Sequence, residues 1–139
     1  MNTIHLKNQL LKATKAADFV SEATSITESL KEEGAGLESV SVILKFMEEQ
    51  PAFDFGTPGP LVHFVEKFYG RGYEAELLAS IARKPTSHTI WLLNRVINGT
   101  KQPAERERLV NALRQAESHP ASDAQAKRQA THFLQRLSS

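Results

Sequence analysis

The chain has 139 residues, a formal net charge of +1 and no cysteine; 40% of its residues are hydrophobic and 24% are charged. This composition is typical of one folded globular domain, and we expect a single helical domain over residues 1–139. The lack of cysteine excludes disulfides, thiol nucleophiles and cysteine-based zinc sites.

Apolar residues recur at spacings of three and four along most of the chain, which predicts amphipathic helices. Three helices are expected in the first third: about residues 2–14, about residues 19–33, and a helix that begins at Leu37 and stops before Pro51. A glycine just past a helix end readily takes the left-handed conformation, so Gly34 is expected to separate the second helix from the third.

Residues 51–60, PAFDFGTPGP, form the one strongly irregular segment, because three prolines and two glycines cannot lie inside a helix. Its glycines precede a helix, but two of its prolines lack the N–H groups that a phosphate site uses, so a shaped turn is the preferred interpretation. Pro60 suits the first turn of the next helix, which is expected to extend to Tyr69 with Gly70 as its cap.

Four more helices are expected after Gly70. The first spans Tyr73 to Lys84, and the second, capped by Thr86 or Ser87, is so apolar that Trp91 is expected to be largely buried. The third spans Pro103 to about His119, and the last is capped by Ser122 or Asp123 and runs toward the C-terminus.

No segment shows the alternation of a half-buried strand, so the predicted fold class is all-α. Seven or eight short antiparallel helices with short connections indicate stacked αα-hairpins. A HEAT-like superhelical stack and an irregular bundle are both compatible with this pattern. The sequence does not decide between them, because no residue motif repeats between the hairpins.

Few residues suggest chemistry. His63 and Glu66 share one helix face, but a metal site would need further ligands, so a partly buried histidine beside a surface glutamate is the preferred interpretation. Asn94 and Asn98, one turn apart on the most apolar helix, are expected to bind neighbouring backbone, with a recognition role as the alternative. We therefore expect no enzyme activity, no cofactor and no metal.

Charge is distributed unevenly. Residues 1–59 carry 5 Lys and 9 Asp/Glu, a net −4, whereas residues 60–139 carry a net +5. This layout can steer a charged partner, although solvated helix faces are the alternative explanation. Acidic residues interleave with the basic ones in the C-terminal half and no aromatic platform accompanies them, so nucleic acid is an unlikely partner. The basic residues concerned are Arg106, Arg108, Arg114, Lys127, Arg128 and Arg136.

Two stretches resemble small bacterial immunity proteins, which are encoded beside polymorphic or contact-dependent growth-inhibition toxins. One is Gly56 to Glu66, Gly-x-Pro-Gly-Pro-Leu-Val-His-Phe-Val-Glu; the other is Lys84 to Asn98, with Pro85-Thr86 and Trp91-Leu92-Leu93-Asn94-Arg95. Both stretches lie within residues 53–99, and the resemblance over this range covers about a third of the chain. It implies a cytoplasmic helical protein that binds one cognate toxin domain and blocks it by occlusion.

Partner-binding residues follow from physical reasoning and not from the resemblance. Aromatic side chains are enriched among interface hot spots, and carboxylates suit a basic toxin such as a nuclease. The aromatic residues expected to be exposed are Phe53, Phe55, Tyr69 and Tyr73, with burial in the core as the alternative for each. The carboxylates are Glu48, Glu49 and Asp54.

Two other functions remain compatible with the sequence. One is a helical adaptor or regulator that binds an endogenous protein, and the other is a weak nucleic-acid binder. A membrane partner is not expected, because no apolar run approaches the roughly 20 residues of a spanning helix and the polar N-terminus lacks a signal-peptide core.

Overall fold

The computed structural model describes residues 2–56 and 58–138; Met1, Ser139 and Thr57 (the last within the predicted irregular segment) lie outside the described residues. Eight α-helices and no strand are present in the described part, which confirms the predicted all-α class. The helices are α1 (Thr3–Ala13), α2 (Phe19–Glu32), α3 (Leu37–Glu49), α4 (Pro60–Glu66), α5 (Tyr73–Arg83), α6 (Ser87–Gly99), α7 (Pro103–Ser118) and α8 (Ala124–Ser138).

Polar side chains cap the first turns of α6 and α8. The Thr86 hydroxyl accepts a hydrogen bond from the N–H of Thr89, whose own hydroxyl accepts one from the N–H of Thr86, so Thr86 and not Ser87 caps α6. Asp123 Oδ1 accepts a bond from the N–H of Ala126, 2.8 Å away, at the start of α8. Each cap satisfies an N–H that has no partner within its helix.

Helix α4 ends three residues earlier than predicted. After Glu66 the backbone bonds change from i→i+4 to i→i+3: the N–H of Phe68 donates to Val65 and that of Tyr69 to Glu66, both at 3.1 Å. Such tighter turns are common where a helix terminates. Residues 67–72 therefore form a separate turn between α4 and α5.

The chain divides into two compact units, an N-terminal unit that ends at Glu76 and a C-terminal unit that begins at Leu77, so that the division falls within α5. In the N-terminal unit α1 contacts α2, α3 contacts α4, α1 contacts α3 and α2 contacts α4, which is the arrangement of two stacked αα-hairpins. In the C-terminal unit α6, α7 and α8 contact one another. The single domain over residues 1–139 and the choice between a HEAT-like stack and a bundle stay predictions.

Helix α6 is less enclosed than its sequence indicates. Its buried face carries Ile90, Leu93 and Ile97, each fully covered, but Trp91 is only half-buried. The guanidinium of Arg95, one turn later, lies 5.0 Å from the centre of the Trp91 ring, within the range of a cation–π contact. Most of the Trp91 side chain is therefore covered, although it is not part of the fully buried core.

Candidate functional site

The seven residues considered as partner contacts all lie in the N-terminal unit, and the structure separates them by exposure. Tyr73 is fully buried and Glu48 is 9% exposed, so the accessibility expected for both is wrong. Tyr73 opens α5 directly after the turn that leads back into the core. Glu48 lies on α3, which contacts both α1 and α4 and therefore has little free surface.

Phe53 and Phe55 belong to a cluster of four phenylalanines that fastens the irregular segment to α2 and α3. Phe55 lies 5.7 Å from Phe19 and 5.3 Å from Phe46, measured between ring centres, and Phe53 lies 4.9 Å from Phe19. Phe55 is consequently 3% exposed, which corrects its expected exposure, whereas Phe53 at the edge of the cluster is half-buried. Offset and edge-on ring packing of this kind stabilises a core.

Asp54 and Glu49 are exposed, and each already has a partner in the chain. Asp54 Oδ1 accepts a hydrogen bond from the N–H of Gly56 at 2.9 Å, which shapes the turn. Glu49 Oε1 lies 3.3 Å from the Lys7 ammonium, and both side chains are 48% exposed. An ion pair this exposed contributes little stability, so Glu49 can exchange Lys7 for a partner's cation at small cost.

Tyr69 is 46% exposed and stands on the tight turn between α4 and α5. Both carboxylate oxygens of Glu74 accept from the N–H of Gly70, at 3.1 and 3.0 Å, and the Arg71 guanidinium lies 5.3 Å from the Phe68 ring centre. Gly72 has φ +109°, and a Cβ there would collide with the side chain of Leu37. These contacts constrain the backbone of the turn over residues 67–72 that carries Tyr69.

An exposed acidic surface on α2 was missed in the sequence analysis. Glu22, Glu28 and Glu32 are all exposed; Glu28 and Glu32 lie opposite the buried Ala23 and Leu30, and Glu22 lies at the side of the helix. The signal was available, because these carboxylates fall between the positions of the apolar stripe. They lie far in sequence from the irregular segment, which carries the predicted acidic residue Asp54.

The two units carry opposite charge. The N-terminal unit contains 7 Lys/Arg and 12 Asp/Glu, a net −5, and the C-terminal unit contains 10 Lys/Arg and 4 Asp/Glu, a net +6. The division between units therefore separates the charges more completely than a division after residue 59. Charge of this size on one unit raises the local concentration of an oppositely charged partner.

Two local contacts shift the pKa of exposed groups. Hydrogen bonds from Arg108 to Glu105, at 2.9 and 3.1 Å, lower the pKa of the Glu105 carboxyl. A side-chain hydrogen bond between Lys31 and Lys67 lowers the pKa of Lys67, and desolvation and repulsion between the two amines add to this effect.

The remaining candidates differ in accessibility from what was expected. His63 is exposed and not partly buried, and no three His, Asp or Glu side chains converge as metal ligands within residues 2–56 and 58–138. Asn98 is exposed and Asn94 half-buried, and their expected binding to neighbouring backbone stays a prediction. Among the basic residues considered for nucleic acid, Arg114 donates a hydrogen bond from its guanidinium to Asn111 Oδ1 at 2.7 Å.

No helix in the described part of the chain is long and apolar enough to cross a membrane. A scan against protein-family models and searches of curated proteins and of solved structures found no match for this chain.

Proposed function

We propose that the protein is a cytoplasmic immunity protein that binds a cognate toxin domain and neutralises it by occlusion, without catalysis. The observation that carries the proposal is the exposed Tyr69 on its braced turn. The resemblance of residues 53–99 to immunity proteins supports the same function, and the acidic charge of the N-terminal unit supports a basic toxin.

A rigid, exposed tyrosine is suited to anchor a protein interface. Tyrosine offers a large contact area and a hydroxyl, and it is among the residues enriched in hot spots. Because the Glu74 carboxylate and the contact of Arg71 with Phe68 already constrain the turn, little backbone conformational entropy is lost when Tyr69 inserts into a partner. These features support tight binding, which inhibition at cellular concentrations requires.

Charge supports a basic toxin such as a nuclease domain. The exposed carboxylates of α2 and the net −5 of the unit attract a basic surface and accelerate encounter. Reversing Glu48 would place an ammonium among buried neighbours and destabilise the protein, so a test of charge is better made at exposed positions of α2.

The decisive experiment is co-expression with the toxin domain encoded beside this chain. Cells that carry the protein are expected to survive and cells that lack it to die. If both die equally, the immunity function is wrong. Recovery of an endogenous cellular protein instead of the toxin in a pull-down would support the alternative of a helical adaptor.

Tyr69→Ala tests the anchor. Removal of a hot-spot tyrosine is expected to cost about 2 kcal/mol of binding, about thirtyfold in Kd by surface plasmon resonance. Ile4→Ala is the matched control, because Ile4 is an exposed apolar side chain of the same unit, 72% accessible. If Ile4→Ala weakens binding while Tyr69→Ala does not, the anchor has been assigned to the wrong residue.

Single charge reversals test the steering. Glu28→Lys in the N-terminal unit is expected to slow association at low salt while dissociation changes less. Glu107→Lys changes the net charge equally but lies in the C-terminal unit, and it is expected to leave the association rate nearly unchanged. If both variants slow association equally, the net charge of the protein controls the association rate and the location of the acidic residues in the N-terminal unit does not.

A further inference from the structure

A surface groove of about 590 Å³ lies between helices α7 and α8 in the C-terminal unit. Its apolar floor is formed by Val110, Leu134 and Leu137. Three cations line it, namely Lys101, Arg106 and Arg114. A surface that combines cations with half-exposed leucines is suited to an acidic protein surface.

Two carboxylates also line the groove without cancelling its positive charge. Glu117 accepts a hydrogen bond from the Thr131 hydroxyl on α8, which directs one of its oxygens to the neighbouring helix. Glu107 is exposed at the rim. The groove is therefore net positive and belongs to a unit of net charge +6.

The same chain carries a surface of matching charge and length. Arg106 and Arg114 are eight residues apart on one face of α7, about 12 Å along the helix axis. Glu22 and Glu32 are ten residues apart on α2, about 15 Å along the axis and about 80° around it, and Glu28 lies beside Glu32 on the side away from Glu22. Both arrays lie on exposed or half-exposed positions of regular helices.

We propose that the α7–α8 groove of one copy binds the acidic surface of α2 in a second copy. The carboxylates of α2 meet the cations of the groove, and their methylene groups cover Leu134 and Leu137. Because one contact uses the groove of one copy and the α2 surface of the other, a pair still carries one free groove and one free α2 surface, so that copies join head to tail. The inference goes beyond toxin binding and needs no toxin for its test.

Such an interface is expected to be weak and sensitive to salt. Exposed ion pairs contribute little individually, and salt screens them over about 10 Å at 0.1 M. Sedimentation equilibrium of the purified protein should therefore show association at about 50 mM salt and a dissociation constant at least about tenfold higher at about 500 mM.

Charge-reversed variants identify the two surfaces. The α2 variant carries Glu22→Lys, Glu28→Lys and Glu32→Lys, and the groove variant carries Lys101→Glu, Arg106→Glu and Arg114→Glu. Each variant alone is expected to be monomeric, since like charges then face each other. An equimolar mixture is expected to associate again, because the reversed α2 meets the reversed groove.

Three outcomes would overturn the proposal: a wild-type protein that stays monomeric at low salt, association that survives either set of reversals, or a mixture that stays monomeric. Binding of an oligonucleotide by a monomeric wild type would assign the groove to nucleic acid instead. Circular dichroism verifies that each variant is helical. If the groove variant is not helical, a milder variant with Arg106→Gln and Arg114→Gln replaces it. This milder variant should self-associate more weakly than the wild type.

Discussion

At the scale of single residues, two glycines at helix ends should respond in opposite ways to the same substitution. A Cβ at Gly59 would collide with the carbonyl oxygen of Phe55, whereas a Cβ at Gly99 would have no heavy atom within 4 Å. Gly59→Ala is therefore expected to lower the free energy of unfolding by about 2 kcal/mol or more. Gly99→Ala, at the last residue of α6, is expected to raise it by about 0.5–1 kcal/mol.

Urea denaturation followed by circular dichroism measures both changes. Gly99→Ala serves as the control for Gly59→Ala, because both add one methyl group near a helix terminus. A Gly59→Ala protein as stable as the wild type would mean that the backbone between Phe55 and Gly59 relaxes, and that the close approach is not needed for the turn.

At the scale of elements, the start of α6 depends on one hydroxyl. Thr86 is 1% exposed and its hydroxyl takes part in the reciprocal bonds with Thr89, so Thr86→Ala is expected to cost about 1–2 kcal/mol of stability. Ser87→Ala removes a neighbouring hydroxyl that does not cap the helix, and thermal unfolding should hardly change. If the two variants melt at the same temperature, the cap is not what positions α6.

Helix positions were predictable from the sequence because local signals determine them. Pro60, Pro103 and the caps Thr86 and Asp123 fixed helix starts, and Gly34, with φ +67°, ended α2 as expected. The end of α4 was not predictable in this way, because hydrophobic periodicity continues through Phe68 while the backbone bonds change.

Burial was harder to predict than helix position, and most of the candidate site depends on burial. Phe55 and Tyr73 are of a residue type that is common in interfaces, but their burial depends on helices that are distant in sequence, such as α2 and α3. Only Tyr69 combines the predicted residue type with large exposure. Which face of a helix remains free is decided by tertiary packing, which one sequence does not specify.

At the scale of the whole molecule, stability should not depend on a metal ion. His63 is exposed, and no group of three potential ligands lies in the described residues. EDTA is therefore expected to leave Tm unchanged, and added Zn²⁺ should not raise it. A fall in Tm with EDTA would implicate His63, and His63→Ala should then reproduce the fall.

The opposite charges of the two units also determine how the protein behaves on a charged solid surface. Binding to an ion-exchange resin does not depend only on the net charge of +1; it depends on the charged surface that contacts the groups on the resin. The N-terminal unit suits an anion exchanger and the C-terminal unit a cation exchanger at the same neutral pH. At low salt the protein is therefore expected to bind to both kinds of resin, through a different unit on each.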